Sequence, residues 1–456
     1  MKDTIEKSDQ YLDEKILTYA LESDDIDLFR QEFLESHPYN QAEFFLQLSA
    51  QLRKKMYYFL SPKELATIME IVEVENDDNI ELLLEMDEHY AAEMMSEMYV
   101  DEAVDLLGLL PKEQIKQYLS LMDRESAHSI ENLLQYKEFT AGSLMTTDYV
   151  AIHANQTILS AMDTIRHRAT EAETIYYVYV IDENNRLLGV ISLRDLILNS
   201  EETYVSDIVN DRIVKVNVLD DQEEVAKVIR DYKLLAVPVI DSSNTLLGII
   251  TVDDIVEVID EESTDDYSKF AGVTDMDTVD KSSFSAAKKR LPWLIVLLFL
   301  SMGTVTLISK FEETLDQVAI LGAFISLIAG MAGNTGTQAL AVAIRGLTTG
   351  ESNEESKWKL IGREFGTGTI NGLVCGVLIL FIIGYWQHNY FLGFIVGISI
   401  FLSLIVATLA GVLIPLLMDK LKIDPAVASG PFITTINDIF SLFIYFSVAT
   451  MLMAYL

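Results

Sequence analysis

The chain has a single cysteine, Cys375, set in an apolar run, so no intrachain disulfide framework holds any part of it. It is also poor in positive charge: 33 Lys and Arg face 70 Asp and Glu, for a net charge of -37. Such a chain repels nucleic acid and favours cations. The opening residues, MKDTIEKSDQ, lack the apolar core of a signal peptide. No long apolar segment comes before Leu291. There is no Walker-type phosphate loop to suggest nucleotide hydrolysis, and no His, Cys or Ser arrangement suggests a catalytic group. These absences argue against a nucleic-acid binder, a disulfide scaffold and an enzyme.

What is present divides in two. Residues 289–456 hold 10 acids and 9 bases, whereas residues 1–288 hold 60 acids and 24 bases. An acidic, cytosolic part is therefore expected to precede a nearly neutral membrane part. Residues 1–136 read as a helical domain, with Leu, Met and Ile at helical spacing in acidic-apolar units that recur loosely, as in a wound array. Met86, Met94, Met95 and Met98 are expected in its core. Glu93, Glu97, Asp101 and Asp105 are spaced by four. On one helix they share a face and repel; alternatively, a break before Asp101 makes it an N-cap. Asp101 and Asp105 suit either a divalent cation or a solvated acidic face.

Residues 137–262 contain a repeat. VYVIDENNRLLGVISLRDL (residues 178–196) aligns without gaps on VPVIDSSNTLLGIITVDDI (residues 237–255), 59 positions later. Each copy reads as strand, turn, strand and helix, with Ser192 or Thr251 as helix N-cap. Amphipathic helices at residues 158–168 and 223–232 precede them. Two such small units are expected to pack together. The boundaries predicted are residues 137–200 and 201–262. The matching Gly189, Ser192, Asp195 and Gly248, Thr251, Asp254 resemble the motif of the cystathionine-β-synthase (CBS) domain pair. That resemblance implies an α/β fold. It also implies either an adenine-nucleotide site such as ATP, with Ser192 and Thr251 near phosphate and Asp195 and Asp254 on ribose, or a purely structural module.

Acids crowd the end of the second copy. Asp253, Glu257 and Glu261 stand four apart, with Asp254, Glu262, Asp265 and Asp266 nearby and no base before Lys269. Their repulsion weakens a helix, and a bridging divalent cation reverses the sign. A connecting helix is expected over residues 263–287, interrupted near Gly272.

The remaining residues, 288–456, read as five transmembrane helices, since about 20 apolar residues span a bilayer. Charge-free stretches cover residues 291–309, 317–344 and 365–418, the third being long enough for two spans with a turn at YWQHNY, and residues 425–456 form a further apolar stretch. Basic residues cluster on the flanks that a cytosolic N-terminus places inside, with only Lys310 outside. The second span contains AGMAGNTGTQALA around Asn334, where glycines predict either irregular, cation-facing backbone or close helix packing. In the last stretch, Asp438 is the only ionisable acid or base apart from tyrosine. A carboxylate at bilayer depth is costly and normally faces a bundle interior, a water path or a cation. Residues 429–431, Ser-Gly-Pro, are expected to loosen the helix before it. Thr434, Thr435 and Asn437 add oxygens near the acid.

The order of these parts, together with LIAGMAGNTGTQALAVAIRGL, DPAVASGPFITTINDIFSLFIYF and YKEFTAGSLMTTDYVAI, resembles the MgtE family of magnesium channels. Two positions depart from the family pattern: Ala332 for a usual second glycine, and Ser326 for a common proline. The resemblance implies a Mg2+ channel of the plasma membrane, homodimeric, with its pore on the two-fold axis. It assigns Asp438 as the pore acid, Asn334 as the second-span asparagine and Thr434 as a site where carbonyls face the ion. It assigns Asp101 and Asp105 as sensor ligands, joined by Glu223, Asp254, Glu257, Glu261 and Asp265. Rival readings are a broader transporter of Co2+, Mn2+ or Zn2+, and a membrane-anchored nucleotide sensor without transport.

Overall fold

The computed structural model describes residues 13–72, 76–170, 172–274, 283–348 and 354–452. The chain divides into two compact units, Met1–Asp260 and Glu261–Leu456.

The first unit opens with short helices, from Glu14–Glu22 to Arg124–Leu133. Their starts are written locally. Asp13, Asp25, Asp87 and Asp123 each accept backbone N–H groups of the first turn, and Ser61 forms a capping box with Glu64. Contacts then recur roughly every 30 residues. Arg30 pairs with Glu64 at 2.6 Å and Arg53 with Glu85 at 2.6 Å. The Tyr90 hydroxyl donates to the Leu60 carbonyl, and that of Ser126 to the Ser96 carbonyl. This is the wound helical array that the loose repeat suggested. The predicted Met core holds, with Met94 and Met95 buried. Glu93 and Glu97 belong to helix Glu88–Glu97, and Asp101 and Asp105 to helix Val100–Gly108, so the four acids share no single helix. The break lies before Asp101 as expected, but Tyr99 is the N-cap and Asp101 is in the first turn.

The repeat folds into two three-stranded sheets. Tyr149–His153 pairs parallel with Thr174–Ile181, which pairs antiparallel with Leu187–Ser192. Val216–Asn217, Ala236–Ile240 and Leu246–Thr251 repeat the pattern. The copies dock reciprocally: Leu187 N–H donates to the Asn244 carbonyl and Leu246 N–H to that of Asn185. The motif glycines answer to backbone approach. A Cβ at Gly189 would lie 2.6 Å from the Asn210 carbonyl oxygen, and one at Gly248 2.5 Å from that of Thr146. One apolar core runs from the helical array through Val237, Ile250 and Ile255 of the second copy.

The connecting helix expected over residues 263–287 does not start at 263: helix Val252–Ala271 is continuous for 20 residues and ends at Gly272, whose φ of 70° is left-handed, where a glycine carries no Cβ penalty; residues 275–282 of that expectation lie outside the described residues. Among the described residues of the second unit, five helices are long and apolar enough to cross a membrane: Ser283–Lys310, Ala319–Leu347, Lys357–Trp386, Tyr390–Lys420 and Gly430–Leu452. The predicted turn falls between the third and fourth, where Asn389 caps the new helix. One pair of alternatives is decided for close packing, and one expectation changes. The glycine-rich segment is a regular α-helix over Ile325–Thr348; the irregular backbone is a 3-10 turn before it, Ala319–Phe324. Residues 429–431 do not loosen a helix but begin one, since the last span starts at Gly430. Pro431 thus sits in the first turn, where its missing N–H has no partner to lose.

Candidate functional site

In the second unit the last span packs on the second, and small residues decide how closely. A Cβ at Gly333 would lie 2.7 Å from Thr434 Cγ2 and 3.6 Å from Asp438 Oδ1. The bare backbone of Gly333 therefore lets Thr434 and Asp438 stand against the second helix. The Thr337 and Thr434 hydroxyls lie 3.2 Å apart, and Thr434 also donates to the Gly430 carbonyl at 2.9 Å. Asp438 is half-buried, two turns into its helix, while Asn334, next to Gly333, is exposed within the single chain. Oxygens of a carboxylate and of hydroxyls thus gather along one seam, and oxygen is the ligand hard divalent cations take.

Asn437 behaves differently from the expectation that it adds an oxygen beside the acid. It is 1% exposed and turns into the helix contact, where a Cβ on Gly336 would lie 1.8 Å from its Nδ2. At the mouth of this seam, Lys269 binds both Asp265 and Asp424. Burial works against its charge, yet hydrogen bonds to Asp265 and Asp424 outweigh this and raise its pKa. Phe270 packs with Leu340, Ile344, Ala428 and Ile433.

A second site lies in the first unit. One carboxylate oxygen from each of Glu173, Asp253 and Asp254 falls within 4.8 Å of the others. Asp101 is 8% exposed, and burial, then Asp254, Glu173 and Glu102, push its carboxyl well above the usual range. Glu102 is pushed up to about 8 by burial and by Asp105, Glu257 and Asp254. Glu173 is also pushed up to about 8, by burial and by Asp254, against a hydrogen bond from Thr251. Burial raises Asp254 too, against hydrogen bonds from the Thr251 hydroxyl and N–H. Sequence reasoning placed Asp101, Asp105, Asp254 and Glu257 here and missed Glu102 and Glu173. Glu102 hid among neighbouring acids, and Glu173 stands just before a strand, outside the repeat and the acidic runs. Glu223 pairs with Lys227 at 2.9 Å, and Asp265 with Lys269. Glu261 lies one turn beyond Glu257, past the division between units.

The nucleotide-motif residues serve their own helices. The Ser192 hydroxyl donates to Asp195 at 2.6 Å, and that of Thr251 to Asp254 at 2.7 Å. A separate cleft of about 400 Å³ is lined by Tyr149, His153, Thr164, Arg168 and Asn185, among others; none of the four motif residues lines it.

These features define a multi-span membrane protein with an oxygen-lined seam and a cytosolic-type module rich in buried acids. Known proteins agree. The family model MgtE, described as divalent cation transporter, matches residues 325–448. The MgtE intracellular N domain matches residues 36–139, and CBS domains match residues 141–202 and 205–261. The chain is 50% identical to the magnesium transporter MgtE of Enterococcus faecalis over 96% of its length and 97% of the relative. It is 41% identical to that of Bacillus subtilis over 92% and 93%. Among solved structures, the soluble part of a magnesium transporter is similar at 50% identity and a TM-score of 0.53, covering 55% of this chain and 98% of the other. The cytosolic domain of the Mg2+ channel MgtE in complex with ATP follows at 33% identity and 0.51, covering 54% and 99%. The chain belongs to the MgtE family, a family of transporters rather than enzymes.

Proposed function

We propose that this chain is a magnesium channel passing Mg2+ into the cytosol, with Asp438 as the acid that meets the ion. The observation that carries this reading is Asp438 itself, a lone carboxylate two turns into an apolar span, set against the bare backbone of Gly333. The names of the relatives at 50% and 41% identity support magnesium as the ion. Mg2+ gives up water reluctantly and is held by few direct ligands. A path lined by Asp438, Asn334 and the backbone at Thr434 suits a largely hydrated ion. Flow is passive, down the electrochemical gradient.

The open side of the seam supports a homodimer, in which a second copy closes the path across a two-fold axis. The bias of basic residues supports a cytosolic N-terminus in a multi-pass plasma-membrane protein. Residues 1–262 act as the sensor. At high cytosolic Mg2+, ions held by Asp101, Asp105, Asp254 and Glu257, with Glu223, Glu261 and Asp265 at outlying positions, favour the closed state. At low Mg2+, repulsion among the carboxylates opens it. The connecting helix carries the change to the spans. A relative's cytosolic domain is solved in complex with ATP, and a nucleotide on this chain would be met by Ser192 and Asp195 of the first copy. Thr251 and Asp254 face the acidic cluster, which repels a triphosphate.

Mg2+ flux into liposomes holding only the purified protein tests the reading. Wild type should conduct, and Asp438→Ala should lose most of the flux. Absence of wild-type flux would leave an anchored regulator. Equal flux of Co2+ or Mn2+ would widen the substrate to divalent cations generally, in keeping with the family description.

A further inference from the structure

Glu173 lies outside every motif of the sequence, yet it stands where three carboxylates converge, with Asp101 close enough to feel two of them. Its carboxylate approaches those of Asp253 and Asp254 within 4.8 Å. Its Oε2 is buried without a hydrogen-bond partner, and so is Oδ1 of Asp101, a side chain more than nine-tenths buried. The charged neighbours that weigh on Asp101 and Glu173 are all acids. Among the described residues, these two buried oxygens have no donor, which leaves them open to a cation.

The backbone holds the group in place. Glu173 N–H donates to the Asp148 carbonyl at 2.9 Å. The Asp148 carboxylate in turn accepts the N–H of Val100 at 3.2 Å, at the start of the helix that carries Asp101. One residue thus ties the lead-in to strand Thr174–Ile181 to helix Val100–Gly108. Asp253 and Asp254 come from the first turn of helix Val252–Ala271.

We propose that Glu173 is a divalent-cation ligand, completing with Asp101, Asp253 and Asp254 a site shared by the helical array and both CBS copies. The inference rests on the reading that cytosolic Mg2+ closes the path. It makes the first CBS copy part of the ion-dependent clamp: losing the ion frees three elements at once. Hard cations such as Mg2+ and Ca2+ suit an all-carboxylate set, and affinity follows the number of charged ligands.

The test uses the full chain and Mg2+ alone. Two half-points are measured: Mg2+ inhibition of flux in liposomes, and Mg2+ protection from limited proteolysis. Glu173→Gln should raise both roughly tenfold, and Glu173→Asp should fall between it and wild type. Glu183→Gln, an exposed acid in the following turn, controls for charge and should move neither. Unchanged half-points for Glu173→Gln would overturn the proposal. So would a shift to lower Mg2+, which would mean that Glu173 acts only by repulsion. If wild-type flux itself ignores Mg2+, the sensor reading fails, and the protection half-points alone decide the role of Glu173. If Glu173→Gln does not fold, Glu173→Asp carries the same test.

Discussion

Asn437 occupies the space in which a side chain on Gly336 would begin: a Cβ there would lie 1.8 Å from the asparagine Nδ2. The buried amide and the bare glycine are therefore one packing unit, and they sit one residue from Asp438.

Gly336→Ala should accordingly push the last span away from the second. Overpacking of this kind costs about 1–3 kcal/mol. Thermal unfolding of the detergent-solubilised chain should show the loss, and flux should fall even though Asp438 is intact. A variant with wild-type stability and flux would mean that Asn437 swings aside freely.

Asp438→Asn keeps the shape of the side chain and removes its charge. If charge attracts the ion, flux should drop at least about tenfold, a barrier change of about 1.4 kcal/mol. The protein should remain folded, because a neutral amide is easier to bury than a carboxylate. Radiotracer or fluorescent-dye uptake in liposomes reads the difference, with circular dichroism as the folding control.

The Lys269–Asp424 pair joins the end of helix Val252–Ala271 to the loop before the last span. Lys269→Met should loosen that contact and favour the conducting state. Partly exposed ion pairs are worth up to about 1 kcal/mol. The Mg2+ concentration for half-inhibition should then rise by roughly two- to fivefold. No change, or a fall, would remove this pair from the coupling.

In chelator, Asp101→Asn should stabilise the first unit, because it relieves a buried acid surrounded by other acids. The expected gain is about 1 kcal/mol or more. In excess Mg2+ the order should reverse, since wild type gains ion-binding energy that the variant lacks. Hydrogen exchange of the full chain, followed at helix Val100–Gly108, measures both signs.

Much of this architecture was legible in the sequence. Local patterns carried it: Ser192 at a helix start, a repeat of strand and turn residues 59 positions apart, and apolar runs long enough to cross a bilayer. Asp438 announced itself because nothing else in its stretch is charged. Locally written features are read locally, since a cap or an amphipathic face depends on residues a few positions away.

The sequence alone could not say what the glycines of the second span do. They suggested irregular backbone as readily as close packing. Only the neighbouring helix, with Thr434 and Asn437 pressed against Gly333 and Gly336, decides for packing. Nor could it bring Glu173 to Asp101 and Asp254, because the three stand on elements far apart in the chain. Composition and periodicity determined what kind of protein this is; which carboxylates share a site was decided by tertiary contact, because Coulomb interaction acts through space and not along the chain.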